Sequence, residues 1–281
     1  MTLSPFSQQV QEAFSRRVAS YEPQARLQRG VAWRLAGLAQ RQGWPRHAEA
    51  PGLALPAGPC ADLGAGTGLV GRALAAWRVP LPAPLLQLDL CGEALARNGA
   101  GPTLAWDLND GLPPQLEGAA LLTSSFALQW LDAPAAALLH WGERLAPGGW
   151  LLLAVPTAGS FPEWRQAARQ AQVPCSALEL PAAPALLAAA AGAGLAPIQA
   201  RTLRFSHQRP AGAPPGPLAA LRALRAIGAD ASRTATPLAP GAWRRLLAAW
   251  PEGGQLSWEM LLLLARKPHP HDPNGDPPCS W

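Results

Sequence analysis

The chain has 281 residues, of which 49% are hydrophobic and 15% are charged. This length and apolar content suit a folded domain with a full core and exclude an intrinsically disordered chain. No segment reaches the roughly 18 strongly apolar residues that a membrane helix needs. The first residues also lack the charged and apolar regions of a signal peptide. We therefore expect a cytoplasmic globular protein.

The formal net charge is +5, and the basic residues are spread along the chain rather than collected in tracts. Scattered arginines do not indicate a nucleic-acid surface, whereas a basic balance favours an acidic protein partner. The cysteines are far apart and lack the spacing of metal ligands; they are Cys60, Cys91, Cys175 and Cys279. We therefore predict reduced thiols, no nucleic acid, no membrane and no metal.

Residues 7–41 carry apolar side chains at helical spacing, which predicts two helices with a hinge around Tyr21, Glu22 and Pro23. From residue 58 to 156, short apolar runs alternate with helical stretches. This order is typical of an α/β fold with a mostly parallel sheet and helices on both faces. The predicted strands are 59–63, 85–90, 103–106, 119–124 and 150–155, the last after a tight turn at 147–149, and the predicted helices are 68–77, 92–97 and 134–146.

Residues 157–267 show a different rhythm, which predicts a helical cap and the last strands of the sheet. The predicted helices are 160–171, 184–194, 217–228 and 240–249, and the predicted strands are 199–206 and 257–266. Residues 268–281 are rich in proline and polar side chains, so we expect a disordered tail. The chain is treated as one domain, residues 1–281, with its nucleotide-binding core at 58–156.

The sharpest local signal is the glycine-rich stretch that begins at Asp62 and ends at Gly68. It follows a predicted strand and opens a predicted helix, so backbone N–H groups can approach a ligand near the positive end of a helix dipole. The spacing of Gly64, Gly66 and Gly68 is G-x-G-x-G, rather than the G-x-G-x-x-G of dinucleotide dehydrogenases. The stretch resembles motif I of class I S-adenosylmethionine-dependent methyltransferases. The alternative is a glycine-rich turn without a ligand.

Two further acids follow predicted strands. Asp89 ends the strand after the glycine-rich stretch, where a carboxylate can accept hydrogen bonds from both ribose hydroxyls of a nucleotide. Asp107 follows the next strand, at the position where such a methyltransferase contacts the adenine amine. Either acid alone would more commonly be a surface loop residue. Together with the glycines, contact with a ligand is the better interpretation.

Four segments outside these motifs single out one family among the class I methyltransferases. These segments are 10–31, Ser124-Ser125-Phe126-Ala127-Leu128-Gln129-Trp130, 159–167 and 221–229. Together they resemble the malonyl-[acyl-carrier-protein] O-methyltransferases of biotin synthesis, over residues 10–267. The resemblance implies a Rossmann-like class I methyltransferase fold with an N-terminal helical lid at 7–41 and a helical cap insertion. It further implies S-adenosylmethionine as co-substrate and methylation of the free carboxylate of malonyl-acyl-carrier protein.

The same resemblance implies roles for four polar or aromatic side chains. Tyr21 would orient the substrate carboxylate or close over the cofactor, and Gln28 would reach the cofactor from the same lid. Gln129 and Trp130 would shape the pocket in which the methyl group is transferred. For each aromatic residue, simple packing in the core is the alternative.

Arginines are the expected partners of the malonyl carboxylate, because burying a charge without a counter-charge is costly. The candidates are Arg16, Arg17, Arg165, Arg222 and Arg225, and Arg165 on the predicted cap is favoured. The alternative for Arg165 is a solvated helix arginine or a contact with the carrier protein. Arg222 and Arg225 are three residues apart on one helix face. They are expected to dock the acidic carrier protein.

Two other functions are consistent with parts of the sequence. A different small-molecule methyltransferase, such as one acting on a quinone precursor, would share the glycine-rich motif without needing the helix at 221–229. A catalytically silent protein that binds S-adenosylmethionine or carrier protein would show binding without turnover. The choice between an acyl-carrier-protein and a coenzyme A thioester stays open, as does the oligomeric state.

Overall fold

The computed structural model describes residues 3–42, 55–206, 217–228, 238–251 and 254–269. The strands in these ranges are β1 (Cys60–Leu63), β2 (Leu85–Asp89), β3 (Thr103–Ala105), β4 (Ala119–Ser125), β5 (Leu145–Pro156), β6 (Ala196–Ser206) and β7 (Ser257–Arg266). They form one sheet in the order β3-β2-β1-β4-β5-β7-β6. Apart from the start of β5, the predicted strands are confirmed to within a few residues.

The helices in the described ranges are α1 (Pro5–Ser15), α2 (Val18–Gln24), α3 (Arg26–Arg41), α4 (Leu69–Ala76), α5 (Gly92–Leu95), α6 (Pro134–Glu143), α7 (Pro162–Ala171), α8 (Ala183–Gly192), α9 (Pro217–Ala226) and α10 (Pro240–Ala248). Short 3-10 turns lie at Leu108–Asp110, Pro114–Leu116 and Leu128–Trp130. From α4 onwards the helices agree with the predicted ones, and their ends differ by at most three residues.

The sheet is parallel except for β7. Strand β1 pairs in parallel with both β2 and β4, and β5 pairs in parallel with β4. Strand β7 lies antiparallel between β5 and β6. The chain moves outward from β1 to β2 and β3, then returns to β4 on the other side of β1. In such a sheet the ligand crevice lies beyond the carboxyl end of the strand where the order reverses, and that strand is β1.

Helices cover both faces of the sheet, as predicted. On one face, Trp141 of α6 and Leu186 of α8 are fully buried against the strands. On the other face, Ala36 of α3 and Leu74 of α4 pack in the same way. A third buried cluster joins α1, α3, α7, α9 and α10 to β7. The N-terminal helices and the late helices therefore share one core, which lies above the carboxyl edge of the sheet.

The N-terminal segment differs from the predicted pair of helices hinged at Tyr21–Pro23. It forms three helices, and the backbone breaks between α1 and α2 and again at Ala25. Pro23 lies inside α2, where it removes one N–H donor, and the helix ends at the next residue. Ala25 is fully buried with φ −78° and ψ 46°. The change of direction therefore lies at a buried alanine, two residues after the proline.

The tight turn predicted at 147–149 lies inside β5 as a bulge. The register between β4 and β5 shifts between Ala119 and Leu121, and Gly148 has a φ of 78°. A Cβ at Gly149 would lie 2.7 Å from the carbonyl oxygen of Ala119. Glycine therefore permits a close backbone approach here while β5 continues on both sides of the bulge.

Some predictions fall outside the described residues, including Cys279 and all but the first two residues of the predicted tail. Cys60, Cys91 and Cys175 are free thiols. Among the residues that the structure describes, no three His, Cys, Asp or Glu side chains cluster in a way that could hold a metal ion. None of the helices in the described ranges has both the length and the apolar character to span a bilayer.

Candidate functional site

The glycine-rich stretch forms the turn from β1 into α4. Gly64, Gly66 and Gly68 have φ values of 75°, 53° and 88°, the left-handed region in which glycine is favoured. A Cβ at Gly64 would clash with the Cβ of Ala127, and one at Gly68 would meet the side chain of Asn98. No heavy atom lies within 4 Å of the position that a Cβ at Gly66 would take. The turn is thus packed at both ends and open at its centre.

Asp89, at the end of β2, holds this turn in place. Its Oδ2 accepts a hydrogen bond of 2.7 Å from the Gly66 N–H, and its Oδ1 accepts one of 2.8 Å from the Cys91 N–H. Burial raises the pKa of Asp89, while these N–H groups act in the opposite direction. The carboxylate has further lone pairs, and it lines the cavity beside the glycine turn.

Asp62 lies in β1, two residues before Gly64, and is 1% exposed. Neither carboxyl oxygen has a hydrogen-bond partner within the described part of the chain. Burial raises the pKa of Asp62 to about 8, and the charge of Asp89 adds to this effect. The side chain does not line the cavity, so Asp62 lies beneath the glycine turn rather than facing open space.

Asp107 lies beyond β3, at the start of a 3-10 turn. Its Oδ1 accepts hydrogen bonds from the backbone N–H of Asn109 at 2.9 Å and from its side-chain Nδ2 at 3.1 Å. The same Nδ2 donates to the Ser7 Oγ of α1 at 3.0 Å. Asp107 lines the cavity, and through Asn109 it is connected to the first helix of the lid.

The first cavity lies between the glycine turn and the N-terminal helices. Its floor includes the glycine turn, Asp89 and Asp107. Its roof consists of side chains from α1, α2 and α3: Ser7, Val10, Phe14, Val18, Tyr21 and Gln28. Helices α1, α2 and α3 therefore cover the carboxyl ends of β1, β2 and β3, next to Asp89 and Asp107.

A second cavity, of about 600 Å³, adjoins the first. It is lined mainly by aromatic and aliphatic side chains from the cap helices and β7, among them Phe161, Trp164, Trp243 and Trp258. Five residues line both cavities: Phe14, Tyr21, Gln28, Phe126 and Trp130. These five form the boundary between the two spaces, which we call the shared wall.

The polar groups at the shared wall are neutral. Burial raises the pKa of Tyr21, and the charges of Asp89 and Glu22 raise it further, so the phenol stays protonated at neutral pH. The Trp130 Nε1–H is buried without a partner among the described residues. Gln129 lines only the second cavity; its Nε2 donates to the Phe126 carbonyl at 2.8 Å.

The position of Arg165 does not support the substrate role predicted for it. Arg165 lies on α7, its guanidinium donates to the backbone carbonyl of Ser160, and it is not among the residues that line either cavity. Its hydrogen bond closes the first turn of its own helix. Arg222 and Arg225 of α9, by contrast, are exposed residues that line the second cavity.

Several lining residues could not be identified from the sequence. Phe126 has a φ of 56°, a conformation that is uncommon for a bulky residue and has no local sequence signal. Trp164, Trp243 and Trp258 come from three separate elements, so only the tertiary fold brings them together. The spacing of apolar residues in α1 predicts a helix. It does not show which face of that helix lines the first cavity.

A sequence profile described as a methyltransferase domain matches residues 27–200 of the chain. Malonyl-[acyl-carrier protein] O-methyltransferase of Alcanivorax borkumensis is 31% identical over 269 residues, which are 92% of this chain and 86% of that protein. Biotin biosynthesis bifunctional protein BioCD of Bordetella avium is 35% identical over 189 residues, or 64% of this chain. The chain spans only 37% of the length of that bifunctional protein.

Among solved structures, a Bacillus halodurans protein described as a candidate methyltransferase matches with a TM-score of 0.52. The match covers 76% of this chain and 95% of that chain, at 16% identity. At this identity the likeness concerns the fold alone. It agrees with the mostly parallel sheet and the helices on both of its faces.

We predict that Asp62→Asn makes the stability of the free protein less dependent on pH. The raised pKa means that the folded state keeps a proton that the unfolded state releases near pH 4. The wild type therefore loses stability as the pH rises from about 4 through 8, and the neutral amide removes this loss. The melting-temperature difference, variant minus wild type, should be greater at pH 9 than at pH 6 by at least about 2 °C.

Asp110→Asn is the matched control, because Asp110 is an exposed acid. The difference between its melting temperature and that of the wild type should be the same at the two pH values. An equal difference for Asp62→Asn at both pH values would show that Asp62 ionises as an ordinary carboxyl group.

Proposed function

The chain belongs to the malonyl-[acyl-carrier protein] O-methyltransferase family, and from this premise we propose that it methylates the free carboxylate of a malonyl thioester. The methyl donor is S-adenosylmethionine, and the product is the methyl ester from which a pimeloyl thioester is built for biotin synthesis. The observation that carries the proposal is the pair of adjoining cavities, one at the glycine turn and one lined by aromatic residues.

The residues of the first cavity suit S-adenosylmethionine. The open centre of the turn at Gly66 gives a ligand access to the backbone. Asp89 keeps lone pairs for the ribose hydroxyls, and Asp107 is assigned to the adenine amine. Asp62 supports the glycine turn from the side of the sheet, and Gly68 ends the turn where α4 begins. Gln28 of α3 closes the cavity from the opposite side. When bound, S-adenosylmethionine supplies a methyl group that its positively charged sulfur has already activated.

The substrate carboxylate needs no general base, because it is ionised at neutral pH. The protein has to exclude water from the carboxylate and align it with the methyl group. We assign alignment to the neutral donors of the shared wall, Tyr21 and Trp130, which orient the oxygens without neutralising the attacking charge. Gln129 shapes the second cavity beside them. The aromatic lining of that cavity excludes water from the reacting atoms.

The carrier protein is proposed to dock on α9. Arg222 and Arg225 lie on one face of this helix and line the second cavity, through which the thioester must enter. Two cations beside the opening attract an acidic partner and raise its rate of association.

The test of the proposal is methyl transfer from labelled S-adenosylmethionine to malonyl-acyl-carrier protein, with acetyl-acyl-carrier protein as the control. We expect labelled malonyl ester and no label in the acetyl control, which lacks a free carboxylate. Cofactor binding without product would overturn the assignment. It would favour a different small-molecule methyltransferase or a silent binding protein instead.

Gly66→Ala is expected to weaken the binding of S-adenosylhomocysteine at least tenfold by calorimetry. The new Cβ would project into the space beside the glycine turn and would also be strained at a φ of 53°. Gly118→Ala is the matched control for strain, since Gly118 has a φ of 66° and an equally open Cβ position away from both cavities. An equal loss of affinity in both variants would show that backbone strain alone weakens binding. It would contradict the assignment of Gly66 to the cofactor site.

The double variant Arg222→Gln/Arg225→Gln is expected to raise KM for malonyl-acyl-carrier protein about tenfold, because it removes two contacts with an acidic partner. KM for malonyl-coenzyme A should change by less than twofold. Arg244→Gln on α10, an exposed arginine that lines neither cavity, is the control. A similar rise in KM for both thioesters would contradict a role in carrier docking. It would indicate that the two arginines contact the bound substrate itself.

A further inference from the structure

One arginine joins the lid to the glycine turn. Arg72 of α4 donates from Nη2 to the Glu22 Oε1 of α2 at 2.6 Å. From Nη1 it donates to the backbone carbonyl of Thr67, inside the glycine turn, at 2.5 Å. Burial tends to raise the pKa of Glu22, but the hydrogen bond and the charge of Arg72, together with the charge of Arg29, act in the opposite direction, and the net shift of the pKa is downward, so Glu22 stays ionised. We call this contact the Glu22–Arg72 bridge.

Glu22 is also tied to the following helix. Its backbone carbonyl accepts a hydrogen bond of 2.5 Å from the Arg29 Nη2 of α3. Arg29 lies beyond the break at Ala25, so this bond spans the change of direction between α2 and α3. Glu22 therefore connects α2 to the sheet domain through its side chain and to α3 through its backbone.

Helix α2 depends on such polar contacts more than its neighbours do. No residue of α2 is fully buried, and Tyr21 is only partly covered, whereas α1 fully buries Phe6, Val10 and Ala13. Burial of apolar surface is the main force that fixes a helix on a core. Helix α2 also contacts α9, and the Glu22–Arg72 bridge and the bond to Arg29 are the polar contacts that tie it to the glycine turn and to α3.

Helix α2 also carries Tyr21, which precedes Glu22 in the chain and lines both cavities. A shift of α2 away from the glycine turn would therefore move the phenol away from the shared wall and open the roof of the first cavity. The ring of Tyr21 meets that of Phe14 edge-on, with centroids 6.4 Å apart. Because Glu22 directly follows Tyr21, the bridge restrains the backbone next to the phenol.

We propose that Arg72 and Glu22 are positioning residues that close α2 over the bound methyl donor and place Tyr21 at the shared wall. The inference rests on the proposed function, because it takes the first cavity to be the cofactor site. Neither residue is assigned a contact with the reacting atoms. Each acts through the position of Tyr21 and of the lid.

The bridge is suited to open and close. Its side chains are 40% and 42% exposed, and ion pairs at such sites are weak and are screened by salt. A ligand beneath the lid needs a contact that breaks easily for entry and re-forms after binding. Raising the salt concentration should therefore loosen the lid and weaken ligand binding in the wild type.

The first measurement is calorimetric binding of S-adenosylhomocysteine to the full chain, without substrate. Glu22→Gln and Arg72→Gln are each expected to raise Kd about fivefold, the upper range for an exposed ion pair. The double variant should bind no worse than Arg72→Gln alone, because Glu22→Gln removes only the bridge that Arg72→Gln has already removed. Arg34→Gln, a change at an exposed arginine of α3, should leave Kd within twofold of the wild type.

Salt gives an independent measurement on the unaltered protein. Between 50 and 300 mM NaCl, Kd of the wild type should rise at least twofold more than Kd of the double variant. If the variants do not fold, a wild-type Kd that is insensitive to salt overturns the proposal. Additive losses in the double variant, or Kd values within twofold of the wild type, overturn it as well.

The role of Tyr21 separates positioning from general stability. Arg72→Gln should lower kcat for methyl transfer in the wild-type background and have no further effect on kcat in a Tyr21→Phe background. S-adenosylhomocysteine should protect residues 16–29 from trypsin in the wild type and protect them less in Arg72→Gln. Equal kcat losses in both backgrounds, or unchanged protection, would show that the bridge is only structural.

These outcomes are distinct from failure of the proposed function. If the Kd and protease results are as expected but malonyl-acyl-carrier protein is not methylated, the substrate assignment is wrong and the proposal for the Glu22–Arg72 bridge is retained. If the wild type does not bind S-adenosylhomocysteine, the cofactor site and the bridge proposal both fall.

Discussion

The hydrogen bond from the Gly66 N–H to the carboxylate of Asp89 is the contact on which the site depends. It connects the carboxyl ends of β1 and β2, next to the point where the strand order of the sheet reverses. A buried carboxylate needs donors, and a glycine turn in the left-handed region turns its N–H toward one. The acid and the turn therefore fix each other. The start of α4, and with it Arg72, follows from where this turn ends.

Much of this arrangement could be predicted from the sequence, because its causes are local. Alternating apolar runs and helical stretches gave the sheet and its two layers of helices. The spacing of Gly64, Gly66 and Gly68 after an apolar run indicated the turn, and Asp89 could be identified because it directly ends the next strand. These inferences depend on periodicity and on chain order, which the fold preserves.

The structure differs from the sequence-based expectations where tertiary packing decides. Arg165 is a plausible partner for an anion by charge alone, but its guanidinium closes its own helix, and a sequence does not show which way a long side chain turns. The sequence predicts one hinge around Tyr21, Glu22 and Pro23, because proline breaks helices. The structure breaks the segment twice, between α1 and α2 and at Ala25, two residues after the proline. The left-handed conformation of Phe126 has no local cause in the sequence.

The shared wall has a consequence for the order of events in a catalytic cycle. The same five side chains bound both cavities, so a ligand in one cavity presses on the surface that the other ligand meets. Under the proposed function, direct transfer of the methyl group between the two cavities needs both ligands bound at once, in a ternary complex.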